Sequence, residues 1–175
     1  MKLVFPNKSY RTKAKEFIKE FYEYGSEVAG SGSLDRYLKE STYDEWLAKV
    51  FSYIDIANVP ADKIPGLTYF FVREEDDRII GMINIRLALN DFLRHEAGHI
   101  GYCIRPTERR KGYGTELLLA GLGVCRRVDI NKVIVTCDKT NLGSAGVIKN
   151  CGGILEEELY SKTFGEVIQR YIITL

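Results

Sequence analysis

Three basic residues, Arg109, Arg110 and Lys111, stand directly before a Gly-x-Gly within the stretch 104–122. The apolar run that follows the glycines has the period of a helix, and the first N–H groups of a helix have no partner inside it. The helix dipole adds positive potential at the same end. Glycines let the backbone approach a ligand closely, and the flanking cations add charge. The stretch therefore predicts a binding site for phosphate.

Two common phosphate-binding signatures do not describe this turn. The P-loop pattern G-x-x-x-x-G-K followed by Ser or Thr occurs nowhere in the chain. The dinucleotide fingerprint G-x-G-x-x-G needs a third glycine where Leu117 stands. That fingerprint also follows the first strand of a β-α-β unit, whereas this turn follows the third of three strand-like segments. What remains is R-x-x-G-x-G between a strand that ends in proline and a helix.

The composition narrows the class of protein. The 25 Lys and Arg residues nearly balance the 24 Asp and Glu residues, which argues against a general nucleic-acid binder. No stretch approaches the roughly 18 uninterrupted apolar residues of a membrane helix. The N-terminal residues lack the apolar core of a signal peptide. We therefore expect a cytoplasmic protein that binds neither nucleic acid nor membrane.

Four cysteines are widely spaced along the chain, without a Cys-x-x-Cys or a neighbouring pair of histidines: Cys103, Cys125, Cys137 and Cys151. This spacing does not predict a zinc site, and we expect no metal. The simplest interpretation is four small buried hydrophobic residues, with a reactive thiol as the alternative.

The periodicity of the sequence predicts one α/β domain over 1–175 with a mixed sheet flanked by helices. Two prolines in "NVPADKIPG" mark the boundary between a helical N-terminal part, 1–66, and the rest, 67–175. Helices are expected at 9–25, 34–54 (broken by a cap at Ser41 or Thr42), 114–127 and 141–150, and strands at 2–7, 67–73, 79–89, 98–106, 132–138, 154–162 and 166–175.

Two glycines, Gly121 and Gly123, fall inside the predicted helix 114–127. Each costs up to about 1 kcal/mol relative to alanine in a helix interior. The sequence therefore predicts that the backbone of this helix closely approaches another element at these positions.

With these motifs in place, residues 67–175 resemble the GNAT superfamily of acetyl-coenzyme A dependent N-acetyltransferases. "YCIRPTERRKGYGTELL" resembles the family's strand, pyrophosphate loop and helix, with Arg109, Gly112 and Gly114 at the motif positions. "KVIVTCDKTNLGSAGVIKNCGG" resembles the next strand and helix, with Asn141 and Ser144 at the family's conserved Asn and Ala/Ser positions. "EVIQRYIITL" resembles the closing strand.

The resemblance implies a GNAT-like sheet whose two central strands, 99–105 and 132–138, run parallel and splay apart, with coenzyme A in the gap. Backbone N–H groups from 110–115 would hold the pyrophosphate, and the three basic side chains would add charge. No metal is implied. The residues expected to bind acetyl-CoA are Tyr102, Cys103, Ile104, Arg109, Arg110, Lys111, Gly112, Tyr113, Gly114, Thr115, Asn141 and Ser144.

The same resemblance implies direct transfer of the acetyl group to an amine. The peptide-like pantetheine would pair with the edge of strand 99–105. The N–H of Ile104 is the best candidate to face the thioester oxygen. Cys103 lies nearby and could be interpreted as a nucleophile, but the family pattern favours direct transfer.

An attacking ammonium must first lose a proton. Relatives often place a base at the start of the strand that leads into the loop, which makes Glu96 and His99 the candidate catalytic residues. Many relatives also supply a tyrosine that protonates the leaving thiolate, but Ile148 occupies that position here. The proton donor is therefore not identified by the sequence.

The acceptor site is expected between the N-terminal helices, the loop 25–33 and the segment 89–98. The acidic residues Glu20, Glu23 and Glu27 stand among aromatic residues and would suit a cationic amine, although a plain amphipathic helix end has the same composition. The acceptor is expected to be a small-molecule or peptide amine, and a homodimer is possible. The alternative function is a non-catalytic module that binds coenzyme A as a sensor or interaction domain.

Overall fold

The computed structural model describes residues 1–61 and 63–175. Over these residues the chain forms seven strands and five α-helices. The strands are β1 (Lys2–Val4), β2 (Gly66–Arg73), β3 (Arg78–Arg86), β4 (Ile100–Ile104), β5 (Lys132–Asp138), β6 (Ile154–Ser161) and β7 (Glu166–Thr174). The helices are α1 (Arg11–Glu23), α2 (Leu34–Glu40), α3 (Tyr43–Ser52), α4 (Tyr113–Arg127) and α5 (Leu142–Asn150).

The strands form two antiparallel ladders, β1-β2-β3-β4 and β5-β7-β6. The ladders meet at β4 and β5, which are joined through the crossover helix α4. At this junction the His99 N–H donates to the Ile134 carbonyl over 2.8 Å. The Ile134 N–H then donates to His99 Nδ1 over 2.9 Å, so a side chain takes the place of the next ladder bond. Beyond this point the two central strands separate, and the expected GNAT-like mixed α/β fold is confirmed.

Helices cover both faces of the sheet. On one face α4 and α5 pack against β2, β3 and β5 through residues such as Leu117, Leu122 and Ile148. On the other face α1, α2 and α3 pack through Phe17 and Trp46. The N-terminal helices are thus anchored directly on the strands that carry the candidate site.

Local signals explain several helix boundaries. Thr42 begins α3 with a capping box, because its side chain accepts from the Glu45 N–H while the Glu45 carboxylate accepts from the Thr42 N–H. Gly25, with φ of +57°, follows α1 as expected of a C-terminal glycine. Both helix ends agree with the sequence prediction.

The segment between β3 and β4 differs from the prediction. The strand expected at 79–89 ends at Arg86, and residues Leu93–Ala97 form a π-helical turn. The turn ends at Gly98, which has φ of +63° and donates its N–H to the Leu93 carbonyl. A side chain on Gly98 would collide with the Ile134 carbonyl, so this tight turn depends on glycine.

The two helix glycines have different surroundings. A Cβ on Gly121 would overlap the Cδ1 atom of Ile83, so the expected close approach is confirmed there. A Cβ on Gly123 would meet no atom within 4 Å, and the same expectation is wrong for that residue. Only one of the two glycines is therefore required by packing.

All four cysteines are buried and unbonded to one another, which confirms their interpretation as small core residues. Burial raises the pKa of each thiol above its ordinary value. Among residues 1–61 and 63–175 no group of His, Cys, Asp and Glu is arranged to hold a metal ion. None of the helices in this part of the chain has the length and apolar character needed to cross a membrane.

Candidate active site

The edge of β4 that faces β5 is available for pairing. Arg105 donates its N–H to the Ile80 carbonyl, and Arg86 donates to the His99 carbonyl, which fixes the alternation of the β3–β4 ladder. By that alternation the backbone groups of Tyr102 and Ile104 point away from β3 and into the gap before β5. Cys103 has the opposite orientation, because its backbone groups face β3. The Ile104 N–H thus points into this gap.

Residues 109–115, the turn predicted to bind phosphate and called here the phosphate turn, present unpaired backbone donors. Arg110 has φ of +64° and Gly112 has φ of +83°, and these left-handed residues bend the chain before α4 begins. The N–H groups of Lys111 and Gly112 have no acceptor among the described residues, and those of the first two helical residues have none by helix geometry. A Cβ on Gly112 would meet no atom within 4 Å, so the space before these donors is open. The turn therefore fits a diphosphate. The Thr115 N–H differs, because it donates to the Gly112 carbonyl.

The three basic side chains of the turn have different surroundings. Arg109 donates to the Ile104 carbonyl and to Ser26, and its guanidinium lies 5.6 Å from the centre of the Phe21 ring. Lys111 donates to Glu108 over 2.8 Å. Arg110 is exposed and makes no hydrogen bond or ion pair within the described residues. Of the three, Lys111 alone pairs with a carboxylate, and Arg110 alone makes no hydrogen bond with the described residues.

A buried carboxylate connects the phosphate turn to the neighbouring strands β2 and β3. Glu108 is only 3% exposed and accepts from Arg73, Arg78 and Lys111. Burial acts to raise the pKa of Glu108, but the hydrogen bond from Lys111 and the charge of Arg73 outweigh it, so the pKa lies below its ordinary value. The carboxylate stays ionised and holds the start of the turn against β2 and β3.

A second carboxylate connects the turn to α1. Glu20 accepts from Arg105 over 2.7 Å and from both the N–H and the hydroxyl of Thr107. Burial acts to raise its pKa, but these hydrogen bonds outweigh it and keep the pKa below the ordinary value. Glu23 pairs with Lys19 on the surface of α1. These two acidic residues are therefore engaged in structural contacts.

The start of α5 closes the other side of the gap. The Asn141 side chain accepts from the Ser144 N–H over 3.0 Å and so caps the helix. The Ser144 hydroxyl lies 3.0 Å from the Tyr102 hydroxyl, which links α5 to β4. Gly114 allows α4 to approach α5, since a Cβ there would lie 2.9 Å from a methyl group of Val147. Asn141 and Gly114 thus contribute to the architecture of the site.

The two candidate bases lie at the start of β4. Burial, with the nearby charges of Arg86 and Arg94, lowers the pKa of His99 to about 4. Its Nδ1 lone pair already accepts the Ile134 N–H. Glu96 is partly buried, and its carboxylate accepts from the Ser161 hydroxyl. The Nδ1 atom of His99 is thus occupied, whereas the second carboxylate oxygen of Glu96 accepts no hydrogen bond from the described residues.

Two residues considered in the sequence analysis are enclosed by the core. Burial raises the pKa of the Cys103 thiol to about 12, so the nucleophilic thiolate is suppressed at neutral pH. Ile148 is fully buried in the cluster formed by α4, α5 and the sheet. A tyrosine at that position would have to displace core atoms.

An open cavity of about 600 Å³ lies on the face of β2 and β3 that the N-terminal helices cover. Its walls come from the loop before α2, from α3, from the ends of β2 and β3 and from the segment before the π-helical turn. This arrangement includes the regions expected to form the acceptor site. The polar residues that sequence reasoning missed are Asp35, Arg36, Lys49, Thr68, Asn84 and Arg86.

Solved structures with the same fold include several acetyltransferases. The ribosomal-protein-S5-alanine acetyltransferase from Vibrio fischeri has a TM-score of 0.72 at 14% identity, over 98% of this chain and 91% of that one. RimJ from Mycobacterium smegmatis, in complex with a coenzyme A disulfide, has a TM-score of 0.71 at 16% identity, over 98% and 80%. A spermidine N-acetyltransferase variant from Vibrio cholerae has a TM-score of 0.64 at 14% identity, over 99% and 95%. At these identities the likeness establishes the fold.

A search of curated proteins by sequence finds no match. The family model described as "Acetyltransferase (GNAT) domain" matches residues 14–154, which is most of the chain and includes both the phosphate turn and the start of α5. The open strand edge, the unpaired donors of the turn and this match together place the protein in the GNAT acetyltransferase family of acyltransferases.

Proposed function

We propose that the protein transfers the acetyl group of acetyl-CoA directly to an amine. The observation that carries the proposal is the combination of unpaired N–H donors at 111–114 with the open edge of β4. Acetyl-CoA supplies an activated thioester when bound. The chain supplies donors for its pyrophosphate and a strand edge for its pantetheine arm.

Ile104 and Glu96 have separate roles in this proposal. The Ile104 N–H points into the gap, where it stabilises negative charge on the thioester oxygen as the amine attacks. Glu96 accepts the proton that the ammonium loses, directly or through water. The new C–N bond forms while the C–S bond breaks, and the thiolate leaves with the electron pair.

The leaving thiolate needs a proton, and Ile148 cannot provide one. We propose that the thiolate takes its proton from water, and that the Ser144 hydroxyl, which lies 3.0 Å from the Tyr102 hydroxyl at the gap between β4 and α5, donates a hydrogen bond that stabilises the leaving thiolate. Burial raises the pKa of Tyr102, so this partner keeps its own proton at neutral pH. Cys103 has no covalent role in the proposal.

The test is turnover of acetyl-CoA with a panel of amines, followed by mass spectrometry of the products. Acetylated amine should appear together with stoichiometric free coenzyme A. Glu96→Gln should lower kcat by at least about 10²-fold with little change in coenzyme A affinity, whereas His99→Gln should keep most of the activity. Binding of coenzyme A without turnover for any amine would favour the alternative, a non-catalytic sensor or interaction module. A cytoplasmic location and a homodimer stay predictions.

A further inference from the structure

The cavity beneath the N-terminal helices abuts the strand that carries the candidate oxyanion donor. Gly30, in its wall, packs so closely on β4 that a side chain there would overlap the Gly101 carbonyl. Gly101 is three residues before Ile104 on the same strand. The wall of the cavity is therefore in direct contact with the strand along which acetyl transfer is proposed.

Arg86 lines this cavity. Its Nη1 donates to the carbonyls of Ala97 and Gly98, each over 2.8 Å. Burial lowers its pKa, yet an arginine remains charged in a folded protein. No carboxylate lies within ion-pair distance of it in the part of the chain that the structure describes. Its Nη2 lies toward Gly101, since a Cβ on that glycine would be 3.6 Å from this nitrogen.

A second cation lines the same cavity. Lys49 donates to the Gly32 carbonyl over 2.9 Å and has no carboxylate partner among the described residues. Burial lowers its pKa, and the positive charges of Arg36 and Lys63 lower it further. The cavity therefore has a positive potential that its own described walls do not neutralise.

One carboxylate is present among the described lining residues. Asp35 accepts from the Ser31 hydroxyl over 2.9 Å and lies near enough to Cys103 of β4 to raise the pKa of its thiol. Asp35 thus offers an amine in the cavity a carboxylate partner.

Partly buried cations without a counter-ion are costly, and a bound anion offsets that cost. The planar guanidinium of arginine matches carboxylate and phosphate oxygens in pairs. An acceptor that carries several ammonium groups and no acidic group would be repelled by the positive charges of Arg86 and Lys49 in the cavity. The electrostatics of the cavity thus select against a polyamine.

We propose, on the basis of the proposed acetyltransferase function, that the acceptor is an amine that also carries an acidic group, a carboxylate or a phosphate. Arg86 and Lys49 bind the acidic group, and Asp35 faces the amine. This assignment replaces the cationic acceptor that the acidic residues at the end of α1 suggested, because Glu20 and Glu23 are engaged elsewhere and Glu27 does not line the cavity.

The experiment compares matched amines at equal free-amine concentration. Amino acids and dipeptides are paired with their C-terminal amides, phosphoethanolamine is paired with ethanolamine, and spermidine is included. A charge-assisted hydrogen bond stabilises by about 1.5–3 kcal/mol, which corresponds to roughly 10- to 100-fold in kcat/KM. The acidic member of at least one pair should be preferred by that factor, and the preferred pair identifies carboxylate or phosphate.

Lys49→Met should reduce this preference at least about fivefold, while Lys15→Met, an exposed lysine on α1, should leave it unchanged. Equal or higher kcat/KM for the neutral amines or for spermidine overturns the proposal but leaves the acetyltransferase function standing. The comparison within wild type decides this even if Lys49→Met does not fold. No transfer to any amine of the panel contradicts both proposals.

Discussion

Substitution of Gly112 by alanine should separate coenzyme A binding from folding. Gly112 has φ of +83°, and the position its Cβ would take is open. An alanine there costs about 1–2 kcal/mol of backbone strain, because the left-handed region is unfavourable for a residue with a Cβ. In a chain of 175 residues this corresponds to a fall in Tm of roughly 2–8 °C. The methyl group also occupies the space in front of the donors of the phosphate turn.

Gly152 provides a matched control. It has φ of +86°, and a Cβ there would also meet no atom within 4 Å, but it lies at the end of α5 and contributes no donor to the turn before α4. Gly152→Ala should therefore lose a similar amount of stability without a change in affinity. Gly112→Ala should weaken coenzyme A binding at least about tenfold, or about 1.4 kcal/mol, and Gly112→Glu should weaken it further through charge repulsion.

Isothermal titration calorimetry with coenzyme A and thermal melts of wild type and both alanine variants make this comparison. A ligand at about 100 times its Kd should stabilise wild type by about 2.7 kcal/mol, and Gly112→Ala should show a smaller ligand-induced rise in Tm than Gly152→Ala. Identical dissociation constants for the two variants would refute the placement of the pyrophosphate at this turn.

Three further predictions follow from the packing and charge of the protein. In urea unfolding, Gly121→Ala should lower the free energy of unfolding by about 1–3 kcal/mol, because the new methyl group collides with Ile83. Gly123→Ala should raise it by about 0.5–1 kcal/mol, because a Cβ there meets no other atom. Equal effects of the two substitutions would contradict the packing described. Glu108→Gln should lower the free energy of unfolding by about 3–5 kcal/mol in the same assay, because it leaves buried or partly buried cations unpaired. An unchanged free energy of unfolding would show that these ion pairs are weak. Burial lowers the pKa of His99 from 6.5 to about 4, so neutral His99 contributes its full stability above pH about 6.5, and this contribution is lost as the pH falls toward about 4. In thermal melts at pH 7 and pH 5, His99→Gln should therefore lose less stability between the two pH values than wild type. Equal losses in the two proteins would contradict the lowered pKa.

Local signals in the sequence predicted much of the fold. The strand expected at 132–138 has those bounds, because a continuous apolar run bounded by turns has one simple interpretation. The phosphate turn was identified from the spacing of its glycines and cations. Such features depend on neighbours along the chain, and no distant residue is needed to recognise them.

The parts that the sequence did not predict depend on contacts between distant segments. Arg86, Lys49 and Asp35 line one cavity, although they come from three different elements with no common motif. Lys111 belongs to a phosphate-binding pattern, yet a buried carboxylate three residues earlier binds its ammonium group. The π-helical turn before β4 depends on the close approach of Gly98 to β5.

The most direct test of the account is a crystal structure of the protein with coenzyme A. The account predicts that the pyrophosphate accepts hydrogen bonds from backbone N–H groups at 111–114. It also predicts that the pantetheine arm pairs with the backbone groups of Tyr102 and with the N–H of Ile104, and that the sulfur points toward the cavity lined by Arg86. Coenzyme A bound outside the gap between β4 and β5, or with its pyrophosphate away from Gly112, would contradict the account.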